Sequence, residues 1–141
     1  MTDANAVRFF QDKLAYETSP REVVAAMQAG GDTITLLDIR RREAFDRGHL
    51  PGAISLPLEQ IASAGTVLGT SGMVVVYDWG PASTASSRAC LALAAQGFMV
   101  REMLGGYEYW LRLGLSVENS EGTLKRRASD PMVTTSEFGW D

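Results

Sequence analysis

The sequence contains one cysteine, Cys90, and one histidine, His49, in 141 residues. A single cysteine excludes a disulfide within the chain and a metal cluster built on several thiolates. With only one histidine as well, we expect no zinc site of the usual kind, no other metal and no cofactor. The chain also has no excess of positive charge, since its 17 acidic residues outnumber its 13 Lys and Arg and the formal net charge is −4. We therefore expect no binding to nucleic acid or to an acidic membrane surface, because both need clustered Lys and Arg.

Long apolar runs are missing too. The opening MTDANAVRFFQDKLAY has no apolar stretch of signal-peptide length, and no later stretch is long enough to span a membrane. We therefore expect a cytoplasmic protein. The composition, with 45% hydrophobic and 21% charged residues, is that of a globular chain long enough to bury one core.

The beginning of the chain predicts two helices. Residues 4–16 place Val7, Phe10 and Leu14 on one apolar helical face. The next helix begins after Ser19, the N-cap of the sequence SPRE, in which the glutamate three residues after the cap completes a capping box.

Strand and helix signals then alternate. The predicted strands are residues 33–39, 53–57, 72–77 and 98–103, and the predicted helical segments between and after them are residues 42–47, 58–64, 84–96 and 105–114. The strand GMVVVY is apolar without alternation, which is typical of the centre of a parallel sheet. This order predicts an α/β sandwich around a mostly parallel sheet. Ligands of such sheets bind at the carboxyl ends of the strands, so the loop after Tyr77 lies at the expected functional edge.

We divide the chain into an N-terminal helix (residues 1–18), one α/β domain (residues 19–118) and a C-terminal polar tail (residues 119–141). The tail loses apolar periodicity. It nevertheless carries Phe138 and Trp140, which are unusual in a free tail. They predict packing against the domain or against a partner, including a second copy in a homodimer.

The segment VVVYDWGPASTASSRAC, residues 74–90, runs from a strand through a tight loop into a helix. Such a loop points several backbone N–H groups at one spot, and the helix dipole adds partial positive charge there, so the layout suits an anion. A cysteine at the strand end would become a reactive thiolate, but this chain has Asp78 there. The candidate binding residues are Arg40, Trp79, Gly80, Ser83, Thr84, Ala85 and Ser86.

Two segments carry a family resemblance. LLDIRRREAFDRGHLPGAISLPLEQI, residues 36–61, resembles the entry signature of the rhodanese-like superfamily. VVVYDWG, SRACLALAAQGFMVREM and LGGYEYWLRLGLSVE resemble its active-site strand and loop, the following helix and strand, and its GG-x-x-x-W helix. The resemblance covers residues 20–118. It implies a rhodanese-like three-layer α/β/α sandwich.

The resemblance also implies a chemistry. In this family a loop cysteine carries a persulfide between a donor such as thiosulfate and a thiophilic acceptor. A subgroup with a C-W-G-P-x-C-N loop looks similar to DWGPAST, with Asp78 at the nucleophile position and Ser83 at the second cysteine. A carboxylate cannot carry a sulfane sulfur, and its charge repels thiosulfate and phosphate. Sulfur transfer by the family mechanism is therefore not expected.

Four interpretations of the site remain open. In the one that we favour, the Asp78 carboxylate accepts the loop N–H groups as an internal anion, which leaves a silent binding or regulatory module with a small anion or a protein as partner. In the second, Asp78 is the nucleophile or general base of another enzyme, with Ser83 or Ser86 nearby. The third moves sulfur chemistry to Cys90, although a free cysteine two turns into a helix is usually a buried apolar residue. In the fourth, Asp78 replaces the cysteine of an active sulfurtransferase.

The residues around the loop have alternative roles. Arg40 either supplies positive charge to an anion or pairs with Asp38 or Asp78, and pairing is favoured because an unpaired buried carboxylate is costly. His49, beside Gly and Pro, is predicted to be a hydrogen-bonded loop anchor. Trp79 is an exposed partner anchor at the pocket mouth or packs over the neighbouring helix.

The segment GGYEYW carries the last candidates. Tyr107 and Trp110 are predicted to belong to the core. Gly105 and Gly106 are predicted to let the chain turn sharply beside the loop.

Overall fold

The computed structural model describes residues 1–30, 34–69, 72–122, 124–125 and 130. The elements are, in chain order, α1 (Ala4–Tyr16), β1 (Glu17–Thr18), α2 (Pro20–Gln28), β2 (Ile34–Asp38), α3 (Arg42–Arg47), β3 (Ile54–Ser55), a 3₁₀ helix (Leu58–Ser63), α4 (Ala64–Leu68), β4 (Met73–Tyr77), α5 (Ala85–Ala95), β5 (Met99–Met103), α6 (Gly106–Arg112), β6 (Val117–Glu118) and β7 (Leu124–Lys125). Every predicted strand and helix is present. The second predicted strand is shorter than expected, and the helical segment after it begins as a 3₁₀ helix.

The central sheet has five parallel strands in the order β1-β5-β4-β2-β3. Its middle strand, β4, is buried from both sides: Val74 and Val76 pack into one core cluster, and Val75 and Tyr77 into the other. Because both faces of β4 are covered, its sequence is apolar without alternation. The prediction of a central parallel strand is confirmed.

Helices cover both faces of the sheet. On one face Ala89 and Leu93 of α5 and Ala64 of α4 join the core cluster that contains Val74 and Val76. On the other face Val23 of α2 and Trp110 of α6 join the cluster that contains Tyr77. The molecule is thus a three-layer α/β/α sandwich, as predicted, and Trp110 belongs to its core.

Helix α1 lies outside both clusters. Its N-cap is Asp3, whose Oδ1 accepts from the backbone N–H groups of Asn5 and Ala6. The predicted helix is confirmed, but its apolar residues Val7, Phe10 and Leu14 are exposed and none of its residues is buried. No helix in the described part of the chain is both long and apolar enough to cross a membrane.

The described residues after position 118 lie against the domain. Strand β7 pairs antiparallel with β6, and the Asp130 carboxylate accepts from Arg112 Nη1 at 2.9 Å. Phe138 and Trp140, and with them the prediction of packing by the end of the tail, lie outside the described residues.

Candidate functional site

The loop after β4 is built around the carboxylate of Asp78, which is 4% exposed. Asp78 Oδ1 accepts from the N–H of Gly80 at 3.1 Å, and Oδ2 accepts from the N–H of Ser86 at 2.9 Å. Ser86 is the second residue of α5, whose first N–H groups have no partner within the helix. The positive end of the helix dipole also favours a carboxylate at this point. The side chain at the strand end thus occupies the position to which the loop and helix N–H groups point.

Serine completes the start of α5. The Ser83 hydroxyl oxygen accepts from the N–H of Ala85, the first residue of the helix, at 3.1 Å. The N-cap residue itself, Thr84, makes no side-chain capping bond. The first two N–H groups of α5 are therefore held by Ser83 and Asp78.

A second carboxylate, that of Glu102 on β5, faces the same loop. Glu102 Oε2 accepts from the hydroxyls of Ser86 and Ser87, the latter at 2.7 Å. The sequence analysis missed Glu102, because β5 was predicted without knowing which strand lies beside it. The sequence feature that could have revealed Glu102 is the alternation of side chains along VREM. This alternation puts Glu102 on the same face of the strand as Val100, which packs in the core cluster beneath α5.

These groups line a cavity of about 140 Å³, which we call the loop cavity. Its polar lining consists of Asp78, Ser83, Ser86, Ser87 and Glu102. Of the predicted binding residues, the loop cavity brings together Gly80, Ser83 and Ser86. Arg40, Trp79, Thr84 and Ala85 do not line it.

Arg40 forms an ion pair with a different carboxylate, that of Asp38. Its Nη2 lies 2.7 Å from Asp38 Oδ2, its Nε donates to Asp38 Oδ1 at 3.0 Å, and Nη2 also donates to the carbonyl oxygen of Gly48 at 2.6 Å. Both side chains are buried. The pairing predicted for Arg40 is therefore with Asp38 and not with Asp78, and its charge is balanced away from the loop cavity.

Tyr77 completes the buried network around Asp38. Its hydroxyl donates to Asp38 Oδ2 at 2.6 Å and accepts from the N–H of Leu50 at 3.1 Å. Burial, together with the neighbouring Asp38 charge, raises the pKa of Tyr77 well above its ordinary value. The hydroxyl therefore remains a donor to the carboxylate.

Trp79 is 53% exposed and contacts two neighbouring side chains. The Arg40 guanidinium lies over its ring, 4.9 Å from the centroid, and over the Tyr107 ring at 3.9 Å. Trp79 and Tyr107 meet edge to face at 6.3 Å. Trp79 is thus an exposed aromatic side chain of the loop that also packs against Arg40 and against Tyr107 of the neighbouring helix α6.

Two glycines let α6 approach the loop. Gly105 and Gly106 have φ of +85° and +60°, and a Cβ on Gly106 would lie 2.6 Å from the backbone nitrogen of Gly80. The close approach lets the N–H of Tyr107 donate to the carbonyl oxygen of Asp78 at 2.9 Å. The predicted sharp turn is confirmed, and its physical reason is this backbone contact.

His49 is a buried anchor, as predicted. Its Nδ1 lies 2.7 Å from the carbonyl oxygen of Phe45, and its ring stacks on the Phe45 ring at 3.7 Å. Its backbone exchanges two hydrogen bonds with Glu118. These contacts join the segment before β3 to β6.

Cys90 packs, partly buried, against the core cluster beneath α5. Burial, together with the charges of Glu102 and Asp78, raises the pKa of the Cys90 thiol to about 12. A neutral thiol is a poor nucleophile, so this environment does not support sulfur chemistry at Cys90. No group of three acidic, His or Cys side chains within the described ranges could hold a metal ion.

The environment of Cys90 predicts slow alkylation. At about pH 7.5 we expect native Cys90 to react with iodoacetamide about a thousandfold more slowly than in the urea-unfolded chain. The reason is that a rise in the thiol pKa from 9.0 to about 12 lowers the thiolate fraction by that factor. Mass spectrometry of quenched time points measures both rates. Equal rates would show that the thiol is accessible and ionised in the fold.

The family model of the rhodanese-like domain matches residues 19–113. The chain belongs to the rhodanese-like domain family. The BH2092 protein from Bacillus halodurans, a solved structure, is 34% identical with a TM-score of 0.77, over 84% of this chain and 87% of that one. This family membership agrees with the resemblance seen in residues 20–118.

Two curated relatives come from Mycobacterium tuberculosis. "Putative thiosulfate sulfurtransferase SseB" is 33% identical over 70% of this chain and 45% of its own length. "HTH-type transcriptional regulator Rv0324" is 29% identical over 69% of this chain and 42% of its own length. The rhodanese-like chain thus spans less than half the length of either relative and is related to thiosulfate sulfurtransferases.

Proposed function

We propose that this rhodanese-like domain is a binding or regulatory module that carries no sulfur, with Asp78 at the family's nucleophile position. One observation carries the proposal: the Asp78 carboxylate accepts from the N–H groups of Gly80 and Ser86, the donors that would otherwise face a reactive thiolate or a bound anion. The domain thus retains the anion-binding loop of the family, and the Asp78 carboxylate takes the place of the bound anion.

The chemistry of the loop supports an inactive site. A carboxylate oxygen cannot hold a sulfane sulfur as a persulfide. The chain's one thiol, on Cys90, packs against the core with a raised pKa. Two carboxylates, those of Asp78 and Glu102, line the loop cavity and disfavour a divalent anion such as thiosulfate.

The two named relatives carry names of different functional classes. One bears the name of a thiosulfate sulfurtransferase and the other that of a transcriptional regulator. Similarity to a protein named as a regulator fits a binding role for this chain. Because fold alone does not determine activity, the proposal depends on the loop residues.

A protein is a better partner for this face than a small anion. The loop cavity is acidic, whereas Trp79 beside it is half exposed and held by Arg40 and Tyr107. A pre-oriented tryptophan contributes contact area without much loss of conformational freedom. We propose that the partner contacts Trp79.

The test is transfer of sulfur from thiosulfate to cyanide, measured as thiocyanate. The chain as written and its Cys90→Ser variant are assayed beside Asp78→Cys. We expect the first two to show no transfer above the uncatalysed rate. Transfer by the chain as written that Cys90→Ser abolishes would overturn the proposal and assign the chemistry to Cys90.

A further inference from the structure

We infer that Glu102 sets the charge preference of the loop cavity, so that a neutral ligand enters the cavity more readily than an anionic ligand of the same size. The inference rests on the proposed function in one respect, since it takes Asp78 as the position where the family's cysteine would stand. It goes further by assigning a role to a residue on a different strand.

Glu102 and Asp78 are joined by one serine. The N–H of Ser86 donates to Asp78 Oδ2 at 2.9 Å, and the hydroxyl of the same residue donates to Glu102 Oε2. The hydroxyl of Ser87 donates to that oxygen at 2.7 Å. Glu102 is therefore held at the cavity wall, and Ser86 is hydrogen-bonded to both its carboxylate and that of Asp78.

The described lining of the loop cavity contains no cationic side chain that would balance the two carboxylates. Among the described residues that line it, none is Lys, Arg or His. Arg40, the cation that the sequence analysis offered to a bound anion, is paired with Asp38 and lies outside the lining. The charges of Glu102 and Asp78 also reach Cys90, where they add to the effect of burial on the thiol pKa. A ligand that enters the cavity thus meets two carboxylates whose charge is not balanced by any basic side chain of the described lining.

This arrangement distinguishes the two carboxylates. Replacing Asp78 with cysteine removes one charge and leaves the charge of Glu102 beside the new thiol. A negatively charged reagent then approaches that thiol against repulsion, and a neutral reagent of the same size does not. The preference for the neutral reagent therefore belongs to Glu102.

The experiment alkylates the thiol introduced by Asp78→Cys, in a Cys90→Ala background that leaves it as the chain's one thiol. Rates are measured with iodoacetamide, which is neutral, and iodoacetate, which is an anion. In both reactions the thiolate sulfur forms a bond to carbon and iodide leaves. The ratio of the two rates, divided by the ratio for free cysteine, cancels the pKa of the thiol because both reagents use the same thiolate.

We expect this normalised ratio to favour iodoacetamide by about fivefold or more, and to fall towards one when Glu102→Gln is added. The matched control is Glu43→Gln, which removes the same charge from an exposed position on α3 and is expected to leave the ratio unchanged. A ratio that Glu102→Gln does not lower would overturn the inference. So would a thiol that reacts with neither reagent, because the cavity would then not admit neutral molecules.

The outcome is separable from that of the proposed function. Sulfur transfer by the chain as written would overturn the proposed function, but it would not change the ratio that Glu102→Gln is expected to lower. An alkylation ratio that Glu102→Gln leaves unchanged would in turn not alter the expectation that the chain as written transfers no sulfur.

Discussion

The Asp78→Cys variant is expected to take sulfur from thiosulfate and pass it to cyanide, at a rate at least about tenfold above that of the chain as written. The new thiol would stand where the N–H groups of Gly80 and Ser86 now donate to the carboxylate. These donors and the α5 dipole favour a thiolate.

The expected reaction has two balanced steps. The thiolate bonds to the outer sulfur of thiosulfate, whose S–S bond breaks, and sulfite leaves with the electron pair. Cyanide then removes the outer sulfur of the persulfide as thiocyanate and restores the thiolate. After the first step, mass spectrometry should show a gain of one sulfur atom on the segment that carries the substitution.

The added substitution Glu102→Gln is expected to raise the rate of the Asp78→Cys variant with thiosulfate, because thiosulfate carries two negative charges. Cys90→Ser is the control, and it should change neither the rate of Asp78→Cys nor that of Asp78→Cys with Glu102→Gln. A folded Asp78→Cys variant that forms no persulfide would contradict the view that the loop retains the geometry of an active member of the family.

The Arg40→Ala variant is expected to lose about 3–5 kcal/mol of unfolding free energy. Arg40 and Asp38 are both buried, and their contacts include the 2.7 Å approach of Nη2 to Oδ2. Truncating Arg40 leaves Asp38 as a buried carboxylate with the Tyr77 hydroxyl as its remaining side-chain donor. The loss exceeds the worth of the pair itself because a charge is left without its partner.

Urea unfolding measures this loss, and Arg42→Ala is the matched control. Arg42 pairs with Asp46 at 3.0 Å on the surface of α3, where such a pair contributes less than about 1 kcal/mol. Equal losses for the two variants would show that the Arg40–Asp38 pair does not hold the carboxyl edge of the sheet together.

Much of the fold follows from local patterns. The apolar run of β4 indicates burial on both faces, and the adjacency of Asp38 and Arg40 at a strand end indicates their pairing. Asp78 at the strand end of a strand–loop–helix segment indicates a carboxylate near a helix N-terminus. Each of these inferences depends on residues that are close in sequence.

What the sequence did not predict depends on sheet order and on long-range packing. Glu102 joins the site because β5 lies beside β4, which no local pattern specifies. Asp130 meets Arg112 although the tail has no apolar periodicity. The exposure of Phe10 and the other apolar residues of α1 was also missed, because amphipathic spacing shows which side chains share a face and not whether anything covers it.

The role of Asp78 as an internal anion is tested most directly by thermal unfolding of Asp78→Ala with and without sodium formate. Removing the carboxylate leaves the N–H groups of Gly80 and Ser86 without their acceptor, and we expect a loss of about 1–3 kcal/mol. Formate carries the same group and should raise the melting temperature of the variant more than equal sodium chloride does, with no such difference for the chain as written. The same response to formate in both proteins would contradict the proposal that the Asp78 carboxylate fills the loop.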